Sequence, residues 1–437
     1  MARRRGGSAS PARVAPRGRR PSEAPPPPAA AALPGARLGA DRIRALIDGF
    51  FTSLHRPVRK NLTLLVDAFV TLTAALRSGQ GHLTLAAVAR ALPPPTSFKQ
   101  RYKRLNRFLD NRLFDPQGLT DGLFAVFLGV TTAPTVVPVI VDQSALGAVQ
   151  LLVAGLPLAG RILPLALMTF TYEGIQTKPE RDKSQNFLER TFFLRLLEAA
   201  PPLLTLCFIL DRGYARVSLM KDLLAHPRTR FIFRARRDVI IQCGKRGRRK
   251  RRALGRFRAP HGKPRRLERI EYRGDHPLEV DLVIYYERGH QECWYLVVPP
   301  GSAATFPTDE VVALYRRRMQ IEQGFRDFKT HLGVRGLRLE VRISERVQRL
   351  LMAFTLAYGL VVALGLSAVA ERARERVEDG RARARHGTTR ILSARTVAAL
   401  LLGGLCAEFL AELATTIARL FARTLDGRGL YHVAPTL

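Results

Sequence analysis

The sequence predicts an α/β fold, in which helices flank a mixed sheet and a β-rich insertion interrupts the chain. Between residues 132 and 238, apolar β-branched runs alternate with an amphipathic helical pattern. Apolar runs this dense indicate a sheet that is covered on both faces. Residues 42–115 and the chain beyond residue 340 show helical periodicity, which predicts helical N- and C-terminal regions.

The composition indicates a cytosolic protein with a polyanionic partner. The chain has 437 residues, 46% of them hydrophobic, which is enough for two or three domains. Its formal charge is +35, so nucleic acid is the leading partner and an anionic membrane surface is the alternative. The four cysteines form no CxxC pair and the nine histidines show no zinc spacing, which predicts reduced thiols.

The N-terminal part divides into a tail and a helical region. Residues 1–40 are basic and rich in Pro, Ala and Gly; they predict a disordered tail, with an organellar transit peptide as the alternative. Residues 41–131 predict a helical DNA-binding region, because a Pro-rich turn at 93–95 precedes a basic helix. The cations of that helix are Lys99, Arg101, Lys103, Arg104 and Arg107. A small bundle with a solvated basic face explains the pattern equally well.

Residues 132–238 predict the first part of the sheet core, and two of its strands end in an aspartate. The run at 135–144, "TVVPVIVDQS", is read as a strand that ends in Asp142. The run at 203–215, "LLTLCFILDRGYA", is read as a second strand that ends in Asp211. Strand ends in α/β sheets open onto the functional crevice, so both carboxylates are candidate site residues.

Residues 239–299 predict a basic β insertion. The segment 245–266 contains twelve Lys or Arg and no acidic residue, and alternating strands follow it. Cations at this density repel one another unless a polyanion lies nearby, so nucleic-acid contact is favoured over a solvated loop. The candidate contacts are Arg248, Arg249, Lys250, Arg251 and Arg252.

The segment "YRRRMQIEQGFRDFK" at 315–329 predicts a helix with two distinct faces. At about 100° per residue, one stripe of roughly 60° carries four polar groups. These are Tyr315, Arg318, Glu322 and Lys329. A neighbouring arc, expected to be buried, holds Leu314, Ile321, Phe325 and Phe328. Taken alone, Arg318 and Glu322 could equally be an ordinary surface pair at i,i+4 spacing.

Residues 300–370 therefore predict the second part of the core, and residues 371–437 a C-terminal helical region. Within the former, the 21 uncharged residues of 350–370 are long enough to span a membrane. Basic residues flank this run on both sides, and no second clean span accompanies it. We expect a buried core helix and no membrane contact.

The three carboxylates of Asp142, Asp211 and Glu322 form a candidate metal site. Three carboxylates at one point repel one another unless cations join them. Hard oxygen ligands suit Mg²⁺, with Mn²⁺ as an alternative ion. Two such ions about 4 Å apart would serve phosphodiester chemistry.

These motifs resemble those of bacterial insertion-sequence transposases of the DDE type, whose core has the ribonuclease H fold. The spacing of Tyr315, Arg318, Glu322 and Lys329 matches the signature on the catalytic helix of one such group. The "DRGYA" and "VDQS" stretches resemble its two aspartate motifs, and the strand-rich insertion is also a feature of the group. The resemblance covers roughly residues 90–365.

The resemblance implies a role for each matched position. Asp142, Asp211 and Glu322 would hold the metal ions, whereas Tyr315, Arg318 and Lys329 would hold phosphates beside the cleaved bond. Some members of the group place a tryptophan where Trp294 stands, to stack on a flipped base. Stacking of that kind contributes about 1–3 kcal/mol per base. A core tryptophan is an equally good explanation.

The implied function is cut-and-paste transposition through a hairpin intermediate, by a homodimer on double-stranded DNA. The DNA partners would be the terminal inverted repeats of the transposon and the target, and the protein would be cytoplasmic and associated with a bacterial nucleoid. Two alternatives are a different ribonuclease H-fold endonuclease and a transposase-derived DNA-binding protein without activity. The first has no need of the Tyr-Arg-Lys stripe, and all three carboxylates argue against the second.

Overall fold

The computed structural model describes residues 40–75, 83–129, 131–179, 183–244, 250–273, 276–331, 344–367, 370–372, 374 and 392–402. The tail at 1–40 lies outside these residues, except Ala40. So do Arg248, Arg249 and most of the C-terminal region at 371–437.

Helices cover both ends of the described chain and connect the strands of its middle part. The N-terminal helices are α1 (Ala40–Phe50), α2 (Arg56–Ala75), α3 (Leu85–Ala91), α4 (Phe98–Leu109) and α5 (Pro116–Leu128). The connecting helices are α6 (Tyr172–Gln176), α7 (Gln185–Ala199) and α8 (Val217–Leu224). The helices that follow the strands are α9 (Thr308–Arg316), α10 (Gln320–Arg326), α11 (Ser344–Gly365) and α12 (Ala394–Leu402). The sequence therefore predicted the helical class of both ends correctly.

The strands of the first part form the mixed half of one sheet. They are β1 (Thr135–Leu146), β2 (Val149–Leu158), β3 (Arg161–Phe170), β4 (Leu204–Leu210) and β5 (Thr229–Arg234). Their order is β3-β2-β1-β4-β5, with antiparallel pairing from β3 to β1 and parallel pairing from β1 to β5. Helix α7 connects β3 to β4, and α8 connects β4 to β5. This mixed sheet with flanking helices agrees with the predicted ribonuclease H-like α/β fold.

The insertion extends this sheet rather than forming a separate one. Its strands are β6 (Ile240–Cys243), β7 (Lys250–Ala253), β8 (Arg265–Tyr272), β9 (Leu278–Tyr285) and β10 (Trp294–Val298). Strand β10 pairs antiparallel with β5, and the order continues as β10-β9-β8-β6-β7. The described residues thus form one ten-stranded sheet, in which the last strand of the insertion joins the core.

Helix α11 is the apolar run that is long enough to cross a membrane by length and composition. In the structure, 94% of its most apolar window is buried. It packs against β3, α2 and α12, so its apolar surface is covered by the sheet on one side and by helices on the other. This is the buried core helix that the sequence predicted.

Candidate active site

The first two candidate carboxylates, Asp142 and Asp211, lie at the same level of the sheet. Strands β1 and β4 pair in parallel up to Ile140 and Ile209, and each aspartate lies two residues further along its chain. Asp142 and Asp211 therefore occupy equivalent positions on neighbouring parallel chains. This is the juxtaposition that the sequence predicted for two strand-end aspartates.

The predicted end of the first strand was wrong. Asp211 does follow the last residue of β4, but β1 runs on past Asp142 to Leu146. The strand continues because its other edge still pairs with β2, through Asp142 opposite Val153 and on to Leu146. Asp142 thus leaves the parallel ladder without leaving the strand, which gives it firm backbone support on one side.

Asp142 is held by few partners. Its Oδ1 accepts a hydrogen bond from the backbone N–H of Gln143 at 2.8 Å, and its Oδ2 lies 3.3 Å from Nη1 of Arg318. Burial raises the pKa of the Asp142 carboxyl, the Gln143 amide and Arg318 lower it, and Asp211 and Glu322 raise it again; the balance is upward. Burial is the largest cause of the raised pKa, and the charges of the other two carboxylates add to it.

The segment that carries the third carboxylate is less regular than the sequence predicted. A 3₁₀ turn at Arg317–Met319 separates α9 from α10, and a π turn covers Asp327–His331. The single 60° stripe assumed one regular helix, so it does not describe this segment. Tyr315 and Arg318 are buried, whereas Glu322 has a 48% exposed side chain.

The predicted apolar arc is nearly correct. Leu314, Ile321 and Phe328 are buried, and Phe325 packs partly buried against the core. Lys329 lies on the π turn, half-buried, with its Nζ 6.0 Å from the centre of the Phe325 ring. The aliphatic part of the Lys329 side chain adds apolar surface, and its ammonium group lies near an aromatic ring.

Arg318 connects the candidate carboxylates to one another. Its Nη2 lies 3.0 Å from Oε1 of Glu322 and its Nη1 lies 3.3 Å from Oδ2 of Asp142. Burial alone would lower the pKa of Arg318, but electrostatic interactions with Tyr315 and with the carboxylates of Asp211, Asp142 and Glu322 raise it above its usual range. The i,i+4 pair is therefore one half of a bridge from the helix to the sheet.

A buried ion-pair network fixes the end of α10. Asp327 is 1% exposed; its Oδ2 lies 2.7 Å from Nε of Arg161 and accepts a hydrogen bond from the Tyr358 hydroxyl at 3.0 Å. Arg395 lies 3.7 Å from its Oδ1. These partners come from β3, α11 and α12, so the network ties the turn after Glu322 to three other elements.

Close packing also sets the distance between α10 and the sheet. A Cβ at Gly324 would lie 2.5 Å from Cγ1 of Ile162 on β3, closer than such atoms approach in proteins. Glycine at this position therefore allows α10 to approach β3 two residues beyond Glu322. Neither this contact nor the ion pairs of Asp327 could be predicted from the sequence, because the partners, Ile162 and Arg161, lie in a distant part of the chain.

Trp294 lies in an aromatic cluster with three neighbours. Its ring centre is 5.1 Å from Tyr315, 5.6 Å from Tyr285 and 5.4 Å from His290. Both Trp294 and Tyr315 are buried, and burial raises the pKa of Tyr315 although Arg318 and Arg234 act in the opposite direction. The cluster packs the first turn of the Glu322 segment against the last strand of the insertion.

The described part of the basic arm is accessible. Lys250, Arg251 and Arg252 are exposed on β7, which pairs with β6 at the far end of the sheet. The geometry of these side chains leaves them open to a polyanion. Arg248 and Arg249 lie outside the described residues.

The carboxylates fit a divalent cation in their chemistry. Aspartate and glutamate oxygens are hard ligands of the kind that Mg²⁺ and Mn²⁺ take in proteins. Among the described residues, no group of three His, Cys, Asp or Glu is gathered closely enough to hold an ion. Arg318 lies between Asp142 and Glu322, so Glu322 would have to turn from Arg318 toward the aspartates to complete the set.

Fold and site together define a ribonuclease H-like protein with carboxylates beside the central parallel strands. Residues 184–360 match the family model of the transposase DDE domain, which supports a transposase of the DDE type. Asp211 and Glu322 lie inside the matched segment, and Asp142 precedes it. Such transposases act on DNA, are generally nucleases and strand transferases, and generally use divalent metal ions. A search of curated proteins found no match.

Proposed function

We propose that this protein is the cut-and-paste DNA transposase of a bacterial insertion sequence. The observation that carries the proposal is the bridge that Arg318 makes between Asp142 and Glu322. The bridge holds the Glu322 carboxylate near Asp142 on the sheet, and the charge of Asp211 contributes to the raised pKa of Asp142. A surface ion pair would not reach the sheet, so the bridge supports a common site for all three carboxylates.

In this proposal Asp142, Asp211 and Glu322 hold two Mg²⁺ ions, with Mn²⁺ as an alternative. When bound, the ions supply Lewis-acid activation for in-line displacement at phosphorus. Arg318 keeps Glu322 beside Asp142 and offsets the repulsion between their charges. When Glu322 turns toward the aspartates, the released guanidinium becomes a donor for a DNA phosphate, which suits its planar fork of N–H groups.

Lys329 and Tyr315 act with Arg318 on the DNA end. Lys329 contributes a positive charge to phosphates next to the cleaved bond. Tyr315 is a positioning residue, since its buried ring packs on Trp294 and precedes Arg318 by three residues. The burial of Trp294 favours the packing explanation for this residue over stacking on a flipped base.

The reaction sequence would be a nick at each transposon end, attack of the freed 3′-OH on the opposite strand to form a hairpin, and later attack on target DNA. Each step needs the attacking oxygen held in line with the phosphorus. The DNA partners would be terminal inverted repeats and target DNA. The basic face of α4 and the arm of Lys250, Arg251 and Arg252, with Arg248 and Arg249, would bind their phosphates.

Two ends must be joined, so we propose a homodimer on DNA, in the cytoplasm of a bacterium and associated with its nucleoid. The family match favours a cytoplasmic protein. Helix α11 is buried in the fold, which supports the absence of membrane contact.

The function is tested with DNA from the ends of the element that encodes the chain. A labelled duplex end and its pre-nicked form are incubated with protein and Mg²⁺, and nicks, hairpins and joined products are separated on a denaturing gel. Wild-type protein should form all three products, whereas Arg318→Ala and Lys329→Ala should fail more severely at hairpin formation and joining than at the first nick.

Arg316→Ala is the matched control, because Arg316 lies two residues before Arg318 and pairs with Glu287, which is not a candidate site residue. Nicks without hairpins or joined products from the wild type would identify a simple endonuclease. Specific binding without any nick in Mg²⁺ or Mn²⁺ would identify a DNA-binding protein that has lost activity.

A further inference from the structure

A cavity whose described lining includes none of the three candidate carboxylates lies where the core meets the insertion. Its volume is about 680 Å³. Its walls come from the start of α8, the turn between β5 and β6, strand β7 and the chain after β8. A cavity of this size is comparable with the ligand sites of other proteins.

The cavity is strongly cationic. Five basic side chains line it against a single acid, Asp238. They are Arg216, Lys221, Arg236, Arg251 and Arg273. All except Arg216 are exposed, so four cations face solvent around one space. Arg236 forms an ion pair with Asp238, and Arg216 pairs with Glu189; Lys221, Arg251 and Arg273 add further positive charge to the described lining, with His276 counted as neutral.

The beginning of α8 adds to this positive potential. The residue before the helix is Arg216, which makes no side-chain capping hydrogen bond to the first turn. Arg216 instead pairs with the buried Glu189 and donates to the Gly213 carbonyl. The N-terminal end of a helix carries a partial positive charge, and Ser218 in the first turn also lines the cavity. The helix end alone would not make a site, but here it reinforces the cations.

Part of the remaining lining is apolar and distinguishes a nucleic-acid strand from a free anion. Val217, Val239 and Ile240 line the cavity, and Ile240 is an exposed large apolar residue. A free phosphate ion would not cover this surface, whereas the sugars of a DNA strand would. Cations beside apolar surface therefore suit the phosphates and sugars of a DNA backbone.

We infer that this cavity binds the backbone phosphates of the DNA strand that passes the carboxylates. The inference rests on the proposed function. Arg216 follows Asp211 by five residues, which span at most about 18 Å of extended chain. One DNA strand advances about 3.4 Å per nucleotide along the helix axis. A phosphate bound at the Arg216 end of the cavity should therefore lie within about five nucleotides of the phosphate that is cleaved.

The test measures binding to a series of duplex transposon ends, each of which carries one neutral methylphosphonate linkage. The linkage occupies a different one of the eight positions next to the cleaved phosphate in each duplex. In the wild type, neutral linkages within about five nucleotides should weaken binding, and more distant ones should not. Arg251→Gln/Arg273→Gln should lose this dependence at the positions that meet the cavity, because those phosphates no longer meet these charges, whereas linkages next to the cleaved bond, which meet Arg318 and Lys329, should keep their effect. The log–log salt slope of this variant should fall by about 1.8, since each lost phosphate contact accounts for about 0.9.

Lys250→Gln/Arg252→Gln is the matched control. It removes the same charge from the same part of the insertion, but neither residue lines the cavity. It should retain the position dependence even if its overall affinity falls. Thermal melting checks folding, and Lys221→Gln, on a different element, provides an independent cavity variant with the same expected loss.

Identical position profiles in the wild type, the two cavity variants and the control would overturn the inference. So would release of the duplex by inorganic pyrophosphate from the wild type without any effect of neutral linkages, which would assign the cavity to a small anion. Wild-type protein that nicks and joins DNA but shows no position dependence would refute this inference alone. Specific binding with position dependence but without cleavage would support the cavity and refute the proposed function.

Discussion

Asp142 in the candidate active site and Asp281 in the insertion each lie beside an arginine, yet their surroundings differ. Asp281 is fully buried and accepts hydrogen bonds from Nε and Nη2 of Arg266 at 3.1 and 2.8 Å. The backbone N–H groups of Arg269 and Gly301 complete the set at 2.9 and 3.1 Å. Asp142 has a side chain that is 22% exposed, one amide donor and one arginine that it shares with Glu322.

The difference shows which carboxylates are structural and which are suited to chemistry. The four donors around Asp281 occupy its lone pairs and leave no place for a ligand. Asp142 keeps acceptor capacity and contact with water, and its raised pKa indicates that the fold pays for keeping it ionised. Sites of chemistry commonly carry such a cost in stability.

The largest expected effect that sharpens this comparison is the loss of cleavage when a site carboxylate is neutralised. Asp142→Asn, Asp211→Asn and Glu322→Gln should each reduce nicking of a transposon end by on the order of 10³-fold or more. Each should leave DNA binding and the far-UV circular dichroism spectrum almost unchanged. Gel-resolved nicking in Mg²⁺ measures the effect.

Glu279→Gln provides the control, because Glu279 pairs with Arg269 on the surface of the insertion and contacts no site residue. Its nicking rate should equal that of the wild type. Normal nicking by any of the three carboxylate variants would remove that residue from the site.

The second effect is the loss of stability when the structural carboxylate is changed. Asp281→Ala should lower the free energy of unfolding by about 3–5 kcal/mol, because it leaves Arg266 as a buried charge without its carboxylate. Urea unfolding followed by fluorescence measures it. Arg266→Met/Asp281→Leu should recover part of the loss, since the unpaired charge is removed as well. A loss below about 1 kcal/mol would break the distinction between the two carboxylates.

The third effect concerns how Glu322 is brought to the sheet. Gly324→Ala would place a Cβ 2.5 Å from Cγ1 of Ile162, so α10 must move away from β3. Overpacking of this kind costs about 1–3 kcal/mol, and nicking should fall with it because Glu322 moves too. Ile162→Ala in the same chain should restore part of the activity by opening space.

Gly49→Ala is the matched control for this change. Gly49 lies in α1 with no atom within 4 Å of the added Cβ. The substitution should stabilise the protein by about 0.4–1 kcal/mol through helix propensity and lower entropy of the unfolded chain. Equal thermal melting and nicking of Gly324→Ala and the wild type would show that the close approach does not position Glu322.

The sequence predicted the local patterns well and the tertiary ones poorly. Apolar runs that end in Asp142 and Asp211 are readable from residue types, and so are the basic arm and the buried length of α11. The pairing of β10 with β5 was not readable, because pairing joins strands about 60 residues apart. The sequence alone therefore could not show that the insertion continues the core sheet.

The prediction that residues 315–329 form one regular helix was wrong for a related reason. Regular periodicity placed four polar residues on one stripe, but the 3₁₀ and π turns change the rotation between Tyr315 and Lys329. Packing of Gly324 against Ile162 and the buried pairs of Asp327 involve distant parts of the chain. The partner of Arg318 on the sheet was likewise hidden, since Asp142 is 176 residues away. Spacing suggested which residues are candidates for the site but not which of them touch.

The smallest effect separates the stability of the fold from the chemistry of the site. Burial, together with Asp211 and Glu322, raises the folded-state pKa of Asp142 above its value in the unfolded chain. A carboxyl of this kind stabilises the fold fully at pH values below the unfolded pKa, near 3.8, and this contribution is lost as the pH rises through the raised folded pKa. Asp142→Asn removes the titration, so at pH 7 the variant should be more stable than the wild type by on the order of 1 kcal/mol. At pH 3 the two proteins should unfold at almost the same temperature, which calorimetry over this range can measure.

Asp281→Asn should destabilise the protein at pH 7. The groups around Asp281 are hydrogen-bond donors, and an amide cannot accept from all of them as a carboxylate does. Opposite signs for the two substitutions at pH 7 would establish that Asp142, unlike Asp281, is kept ionised at a cost to the fold. A loss of stability in Asp142→Asn would place it with the structural carboxylates instead.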